Sequence, residues 1–163
     1  MKKRLFYGDF IIHPINILAV ILLVFNDFYL KASKYAPFIA GKLSDISLMI
    51  FLPIFICFFY VFLTYFLNTI KIFFSKKEII ENYKLPTWLI LVSLFISGAI
   101  LVLLQLSDLF NIYFEHFILF FKNLFVEKKT IALNLTKDLS DIFMIIFLVV
   151  PYFILSKEVD RGE

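Results

Sequence analysis

The sequence predicts an all-α, polytopic membrane protein, a single domain over 1–163. Four transmembrane helices would form a bundle from two pseudo-repeated hairpins, with an additional amphipathic interfacial helix. Of the 163 residues, 62% are hydrophobic, whereas soluble domains are about 45–50% apolar. The apolar runs approach or exceed the roughly 20 residues needed to cross a bilayer. A ten-residue pattern also occurs twice, at 43–52 and at 139–148.

The first predicted hairpin contains helices at 10–30 and 44–67. His13-Pro14 marks the beginning of the first helix, because proline is favoured in a first helical turn. The basic residues before this run also fit a signal peptide, but no small-residue cleavage site follows it. Pro53 lies inside the second helix, where membrane helices tolerate proline if neighbouring groups satisfy the freed backbone.

The third predicted helix covers 87–107. Pro86 precedes it, and Trp88 is typical of an anchor at the membrane interface. Ser97-Gly98-Ala99 is a small-residue patch in mid-span, where another helix can approach closely.

The region 109–125 places polar residues at helical spacing in a Phe-rich background. This pattern predicts an amphipathic helix in the membrane interface, and the alternative is an extension of the third helix. The last predicted helix covers 139–155. Because it has only about 17 residues against the roughly 20 of a full span, a three-span alternative would make the second repeat re-entrant or interfacial.

The distribution of basic residues predicts cytoplasmic termini and an inner-membrane location in bacteria, since basic residues near span ends prefer the cytoplasm. With four spans, the termini share one side with the 71–84 loop. The 16 basic residues then divide into nine on that side and seven on the other. The nine are Lys2, Lys3, Arg4, Lys71, Lys76, Lys77, Lys84, Lys157 and Arg161.

Each copy of the ten-residue pattern begins with Leu-Ser-Asp. The first copy agrees with the second at Leu43, Ser44, Asp45, Ile46, Ile50, Phe51 and Leu52. Four spans would bring both Ser-Asp pairs to the outer membrane face, beside other charged residues. The predicted ligand or ion cluster consists of Asp27, Lys31, Lys42, Ser44, Asp45, Asp108, Asp138, Ser140 and Asp141.

A purely structural interpretation of these residues stays open. Ser44 and Ser140 are favoured N-cap residues, and a following aspartate suits the positive end of the helix dipole. Asp27, at the end of an apolar run, needs a partner, and Lys31 or Lys42 could pair with it.

Three hypotheses about function follow from this cluster. In the first, it binds or conducts a cation, a proton or a polar head group, because carboxylates ligate hard cations such as Mg²⁺ or Ca²⁺ and can carry protons. The neighbouring lysines compete for the carboxylates, so no metal ligand is assigned. In the second, an aspartate activates water in a membrane-embedded hydrolase or lipid-modifying enzyme. In the third, the chain is a structural subunit that binds another membrane protein or a second copy of itself.

Other functional classes find less support in the sequence. The net charge of +3 is too small to indicate a nucleic-acid partner. Cys57 is the single cysteine and lies in an apolar run, which predicts a buried thiol. The motifs of phosphate loops, nucleophile elbows and zinc proteases do not occur.

Three short elements of this sequence resemble those of a family of small bacterial four-helix membrane proteins. Asn26-Asp27 and Gly41-Lys42-Leu43-Ser44-Asp45 match two of the family's elements, and Asp138-Leu139-Ser140-Asp141 matches its Asp-Pro-Thr-Asp element without the proline. Phe28 stands where the family has histidine. The resemblance implies a four-helix membrane fold with a polar site at these residues, and it implies no particular activity.

Overall fold

A computed structural model describes residues 8–30, 37–75, 85–125 and 138–160, and within these ranges the chain is almost entirely helical, without strands. The all-α prediction is therefore confirmed. The α-helices are α1 (Pro14–Phe25), α2 (Pro37–Ser75), α3 (Thr87–Leu106), α4 (Asp108–Phe125) and α5 (Val149–Asp160). A 3₁₀ turn (Asp9–Ile12), a π turn (Asn26–Leu30) and a 3₁₀ helix (Leu139–Leu148) complete the described elements.

Three helical segments are long and apolar enough to cross a membrane: Gly41–Ile70, Thr87–Leu106 and Leu139–Val159. Each exposes large apolar side chains, for example Phe95 and Phe143. So much contiguous apolar surface indicates contact with lipid rather than water. The chain is therefore a membrane protein with at least these three candidate spans.

The first segment, predicted as one helix over 10–30, consists of three consecutive pieces. His13 has an extended backbone with ψ of 135°, as expected for a residue that precedes proline. It separates the 3₁₀ turn from α1, and its Nδ1 accepts a hydrogen bond from the Ile15 N–H at 3.4 Å. Its predicted place at the start of the helix is confirmed. The 12 residues of α1 extend about 18 Å, less than the hydrocarbon core of about 30 Å.

The second helix is longer than the predicted 44–67, because α2 begins at Pro37 and ends at Ser75. Ser44 therefore lies inside the helix, and the interpretation of Ser44 as an N-cap is wrong. Pro53 is fully buried within α2. Proline has no backbone N–H, so the Met49 carbonyl lacks its usual helical donor. Because Pro53 is buried, neighbouring side chains surround this interruption of the helix.

The apolar core lies where four elements meet at one end of the bundle. We call this end of the bundle the Phe10 end. Its buried members come from the first 3₁₀ turn, α2, the beginning of α3 and α5: Phe10, Ile54, Cys57, Val61, Leu85, Leu89, Ile90, Ile154 and Leu155. The predicted burial of Cys57 is confirmed, and its Sγ lies 3.4 Å from the Ser93 Oγ. Since α2 ends, α3 begins and α5 ends toward this side, α3 runs antiparallel to both α2 and α5.

The small-residue patch of α3 lies against the 3₁₀ helix. Ser97 and Gly98 are buried, and a Cβ at Gly98 would stand 3.3 Å from the Leu148 Cδ1. The predicted close approach of another helix at this patch is confirmed.

Ser107 separates α3 from α4. Its backbone is extended, with φ of −114° and ψ of 117°, and its Oγ accepts a hydrogen bond from the Phe110 N–H at 3.2 Å. This is N-cap geometry, with Asp108 in the first turn where the helix dipole favours a carboxylate. The region 109–125 is thus a separate helix rather than an extension of α3.

The last segment changes its helical form partway. The ten residues Leu139–Leu148 form a 3₁₀ helix, although such runs rarely exceed 3–4 residues. At Val149 the chain becomes α-helical, and the Val149 N–H donates to the Ile146 carbonyl. Pro151, fully buried two residues later, has no N–H for the Phe147 carbonyl. Since the 3₁₀ form rises about 2.0 Å per residue, it extends the segment by about 5 Å over an α-helix of equal count.

Candidate functional site

The candidate site lies at the end of the bundle opposite the Phe10 end. It consists of Lys42 from α2, Gln105 from α3, and Asp138, Ser140 and Asp141 from the beginning of the 3₁₀ helix. We call these five residues the Lys42 cluster. They bring together positions separated by up to 99 residues in the sequence.

Lys42 occupies the centre of the cluster. Its Nζ lies 2.9 Å from the Asp141 Oδ1, 2.5 Å from the Ser140 Oγ and 3.4 Å from the Asp138 Oδ2. A lysine ammonium has three N–H donors, so these three acceptors match its full capacity. The Lys42 side chain is 19% exposed, which makes the ammonium largely shielded from solvent.

Asp141 is the most buried charged residue of the cluster, at 5% exposure. Its Oδ1 accepts from Lys42, and its Oδ2 accepts from the Gln105 Nε2 at 3.3 Å. The Gln105 Oε1 in turn accepts the Asp138 N–H at 3.0 Å. A buried carboxylate is tolerated when it is paired and hydrogen-bonded, and here a cation and an amide provide both conditions.

The local sequence explains why the two aspartates face one lysine. Asp138 is the N-cap: its backbone is extended, and its Oδ1 accepts the Ser140 N–H at 2.9 Å. The prediction that Ser140 caps this helix is therefore wrong, while Asp141 does lie in the first turn as predicted. The Asp141 N–H donates to the Asp138 carbonyl at 2.8 Å, and this first turn places both aspartates against Lys42.

The Lys42 cluster carries a formal charge of −1, from one ammonium and two carboxylates. Hydrogen bonds from the Ser140 hydroxyl and the Ser140 N–H, helped by the nearby Lys42 charge, hold the pKa of Asp138 below its usual range. Asp138 is the more exposed carboxylate, with 42% of its side chain accessible.

The hydrogen bonds limit what the cluster can bind. Both oxygens of Asp141 already accept donors, and Lys42 uses its three donors on three acceptors. A hard cation at these carboxylates would therefore share them with the Lys42 ammonium. Within the described ranges, no group of three or more His, Cys, Asp or Glu side chains is arranged to hold a metal ion.

The structure brings Lys42, Asp138, Ser140 and Asp141 of the predicted cluster into contact. Ser44 and Asp45 lie half-buried on α2 within one turn of Lys42, and Asp108 is exposed at the beginning of α4. The backbone of Asp27 belongs to the π turn. The side chain of Asp27 and the whole of Lys31 lie outside the described residues.

Gln105 is a member of the cluster that the sequence interpretation missed. It is buried near the end of α3 and bridges Asp138 to Asp141. A signal was present, because Gln105 interrupts the apolar end of a predicted span and polar residues inside membrane helices usually have partners.

Comparison with protein-family models, with curated proteins and with solved structures yields no match for this chain. The family resemblance of the short sequence elements therefore stays an expectation. Function must be argued from the Lys42 cluster itself.

Proposed function

We propose that this protein is an integral membrane protein that crosses the bilayer four times, with both termini in the cytoplasm of a bacterial cell. Three crossings are the long apolar segments, and the fourth is the first segment, Asp9–Leu30. It packs against α2, and Phe10 anchors its beginning at the Phe10 end. We further propose that its two hairpins descend from a duplicated ancestor.

In this arrangement α4 lies along the outer membrane surface. It follows α3 directly at the end that carries the Lys42 cluster, and among the described elements it packs only against α3. It exposes Tyr113, Phe117 and Phe120, and aromatic side chains of this kind suit the headgroup region.

Single-cysteine labelling in intact cells tests this topology. Variants Asp9→Cys, Asp108→Cys and Ser156→Cys are made in a Cys57→Ala background and treated with a membrane-impermeant maleimide. Asp108→Cys should be labelled in intact cells, and the other two only after the membrane is opened. Labelling of Asp9→Cys and Asp108→Cys from the same side would exclude four crossings.

For the Lys42 cluster, a structural role is the best supported of the three hypotheses. The cluster holds the ends of α2, α3 and the 3₁₀ helix together, and we call this set of contacts the clasp. The protein would then be a structural or partner-binding membrane subunit. One observation carries this proposal: the Lys42 ammonium contacts Asp141, Ser140 and Asp138 at once. Direct pairing of this kind supports helix packing better than it supports an open ligand site.

Replacing the whole charge set by residues of similar volume tests the clasp. A buried ion pair can often be replaced by packed apolar residues without loss of stability. A triple variant, Lys42→Met with Asp138→Asn and Asp141→Leu, should therefore stay folded at a membrane level near wild type, whereas Lys42→Met alone should fall well below it. Lys42→Met at the same membrane level as wild type would contradict the structural role.

A second candidate is the binding of one proton at the cluster. It is favoured by the formal charge of −1 together with the burial of Asp141, because one added proton would neutralise the set. Infrared difference spectra of acidified protein in bilayers should then contain a protonated-carboxyl band that Asp141→Asn removes. A band that persists unchanged in this variant would reject Asp141 as the proton acceptor.

A further inference from the structure

The 3₁₀ helix Leu139–Leu148 is an unusual backbone element. It has ten residues, whereas 3₁₀ runs longer than 3–4 residues are uncommon, because their hydrogen-bond geometry is poorer than that of an α-helix. The exposed side chains Phe143, Ile146 and Val149 recur at every third position, as three residues per turn require. A 3₁₀ stretch within a longer helical segment often marks a hinge or a sequence under strain.

The sequence of this element does not itself require the 3₁₀ form. The first copy of the ten-residue pattern, 43–52, agrees with it at seven positions and is α-helical within α2. Residues 142–148 are all apolar, so turning them about the helix axis still presents only apolar side chains to lipid. Because the α form has the better hydrogen-bond geometry, contacts with the rest of the protein must hold this element in the 3₁₀ form.

The contacts that hold the element at its beginning are directional and polar. The Lys42 Nζ lies 2.9 Å from the Asp141 Oδ1 and 3.4 Å from the Asp138 Oδ2. The Gln105 Nε2 donates to the Asp141 Oδ2 at 3.3 Å, and the Gln105 Oε1 accepts the Asp138 N–H at 3.0 Å. Both Lys42 and Gln105 come from neighbouring helices, so they fix the position of the first turn relative to α2 and α3.

The middle of the element packs on a smooth surface of α3. The Ser97 hydroxyl donates to the Ser93 carbonyl of its own helix at 2.8 Å, and a Cβ at Gly98 would stand 3.3 Å from the Leu148 Cδ1. Apolar packing of this kind has no directional preference. It therefore permits the element to slide and turn on α3 more readily than hydrogen bonds would.

At its other end the element continues into α5, which the core fixes. Ile154 and Leu155 belong to the core cluster at the Phe10 end. Pro151 is fully buried just after the change of helical form, and it has no N–H for the Phe147 carbonyl, so the helical ladder is already interrupted there. The 3₁₀ helix thus lies between two fixed ends, with a joint beside the second.

We propose that Leu139–Leu148 is a conformational switch, which the Lys42 cluster keeps in its extended 3₁₀ form and which shortens to an α-helix when the cluster opens. The inference rests on the clasp proposed above. Ten residues extend about 20 Å in the 3₁₀ form and about 15 Å in the α form. With α5 fixed, shortening draws Asp138 and Asp141 about 5 Å toward the Phe10 end, which their contacts with Lys42 do not permit while the cluster is closed.

The test measures the length of the element in the full-length protein in lipid nanodiscs. Spin labels are attached to Leu139→Cys and Val149→Cys, at two exposed positions, in a Cys57→Ala background, and their separation is measured by electron paramagnetic resonance. We expect Lys42→Met to decrease this separation by about 5 Å relative to the wild-type cluster. A second variant, Asp138→Asn with Asp141→Asn, removes both carboxylate charges with little change in volume and should produce the same decrease.

The matched control pair is Phe59→Cys with Thr69→Cys, which are also exposed and ten residues apart, within α2. Its separation should stay the same with the wild-type cluster and with both cluster variants. The proposal is overturned if the separation of the first pair is unchanged in either variant, or if it already equals that of the control pair in the wild-type cluster. Failure of the clasp itself would appear separately, as a wild-type membrane level of Lys42→Met.

Discussion

The two copies of the ten-residue pattern, identical at seven positions, adopt different helical forms. The first copy, 43–52, lies in the α-helix α2, which begins six residues earlier at Pro37. The second copy begins its own element and forms the 3₁₀ helix Leu139–Leu148, with Asp138 as its N-cap. A shared sequence pattern therefore marks two apolar helical segments here without determining their form.

The different forms point equivalent positions in different directions. An α-helix turns about 100° per residue and a 3₁₀ helix about 120°, so the two copies diverge by about 20° at each step. At the fifth position, the first copy has the buried Ser47, and the second has Phe143, which is 78% exposed.

The position just before each copy shows a further difference. It is Lys42 in the first copy and Asp138 in the second, and these residues contact each other at 3.4 Å. The two copies thus meet through opposite charges at equivalent positions. The complementary contact of the clasp therefore comes from a position at which the two copies differ.

The largest expected effect comes from removing the cation of the first copy. Lys42→Met leaves Asp141 buried without its charge partner, and loss of one partner of a buried carboxylate is strongly destabilising. Unfolding in bicelles should report this loss. Lys157→Met, at an exposed lysine of α5, should change stability by less than about 0.5 kcal/mol, and equal losses in the two variants would reject the clasp.

Exchanging the residues at the fifth position tests the difference in orientation. Ser47→Phe forces a ring into a fully buried place and should destabilise the protein by about 2 kcal/mol. Phe143→Ser removes an exposed ring and should have little effect on unfolding in detergent. The reverse order of the two losses would show that the copies are oriented alike.

The Ser-Asp pairs of the two copies should also contribute different amounts to the free energy of unfolding. Asp141→Asn weakens two hydrogen bonds of a buried carboxylate, whereas Asp45 is only half-buried. We expect Asp141→Asn to lower the free energy of unfolding by about 1.5 kcal/mol more than Asp45→Asn. Comparable losses would mean that both copies contribute equally to the polar end.

The smallest expected effect concerns pH. The pKa of Asp138 is lowered in the folded protein, chiefly by hydrogen bonds from Ser140, and its unfolded value is about 3.9. The ionised carboxylate therefore stabilises the protein fully above the unfolded pKa, and this stabilisation is lost as the pH falls through the folded pKa. Asp138→Asn should flatten the stability curve of bicelle unfolding below about pH 4 relative to wild type, and curves of equal slope would contradict this assignment.

Sequence patterns alone predicted the helical fold, the beginning and end of α3, the start at Pro14 and the close approach at Gly98. Apolar periodicity and proline placement act locally, so the sequence displays them directly. The 3₁₀ form of the second copy could not be predicted, because the identical residues in the first copy are α-helical.

The candidate site was only partly predictable, for a different reason. Charged residues in an apolar chain are conspicuous, so Lys42, Asp138 and Asp141 could be named from sequence. Their mutual contacts depend on how α2, α3 and the 3₁₀ helix pack. Gln105 was missed because a single uncharged polar residue at a helix end carries a weak signal until its neighbours are known.

A double-mutant cycle between Lys42 and Asp141 tests the central claim most directly. Unfolding free energies are measured in bicelles for Lys42→Met, Asp141→Asn and the double variant. Because each side chain loses its partner in either single variant, the double variant should be more stable than the sum of the single losses predicts, by at least about 1 kcal/mol. Losses that add within about 0.5 kcal/mol would show that the two residues do not act as one unit.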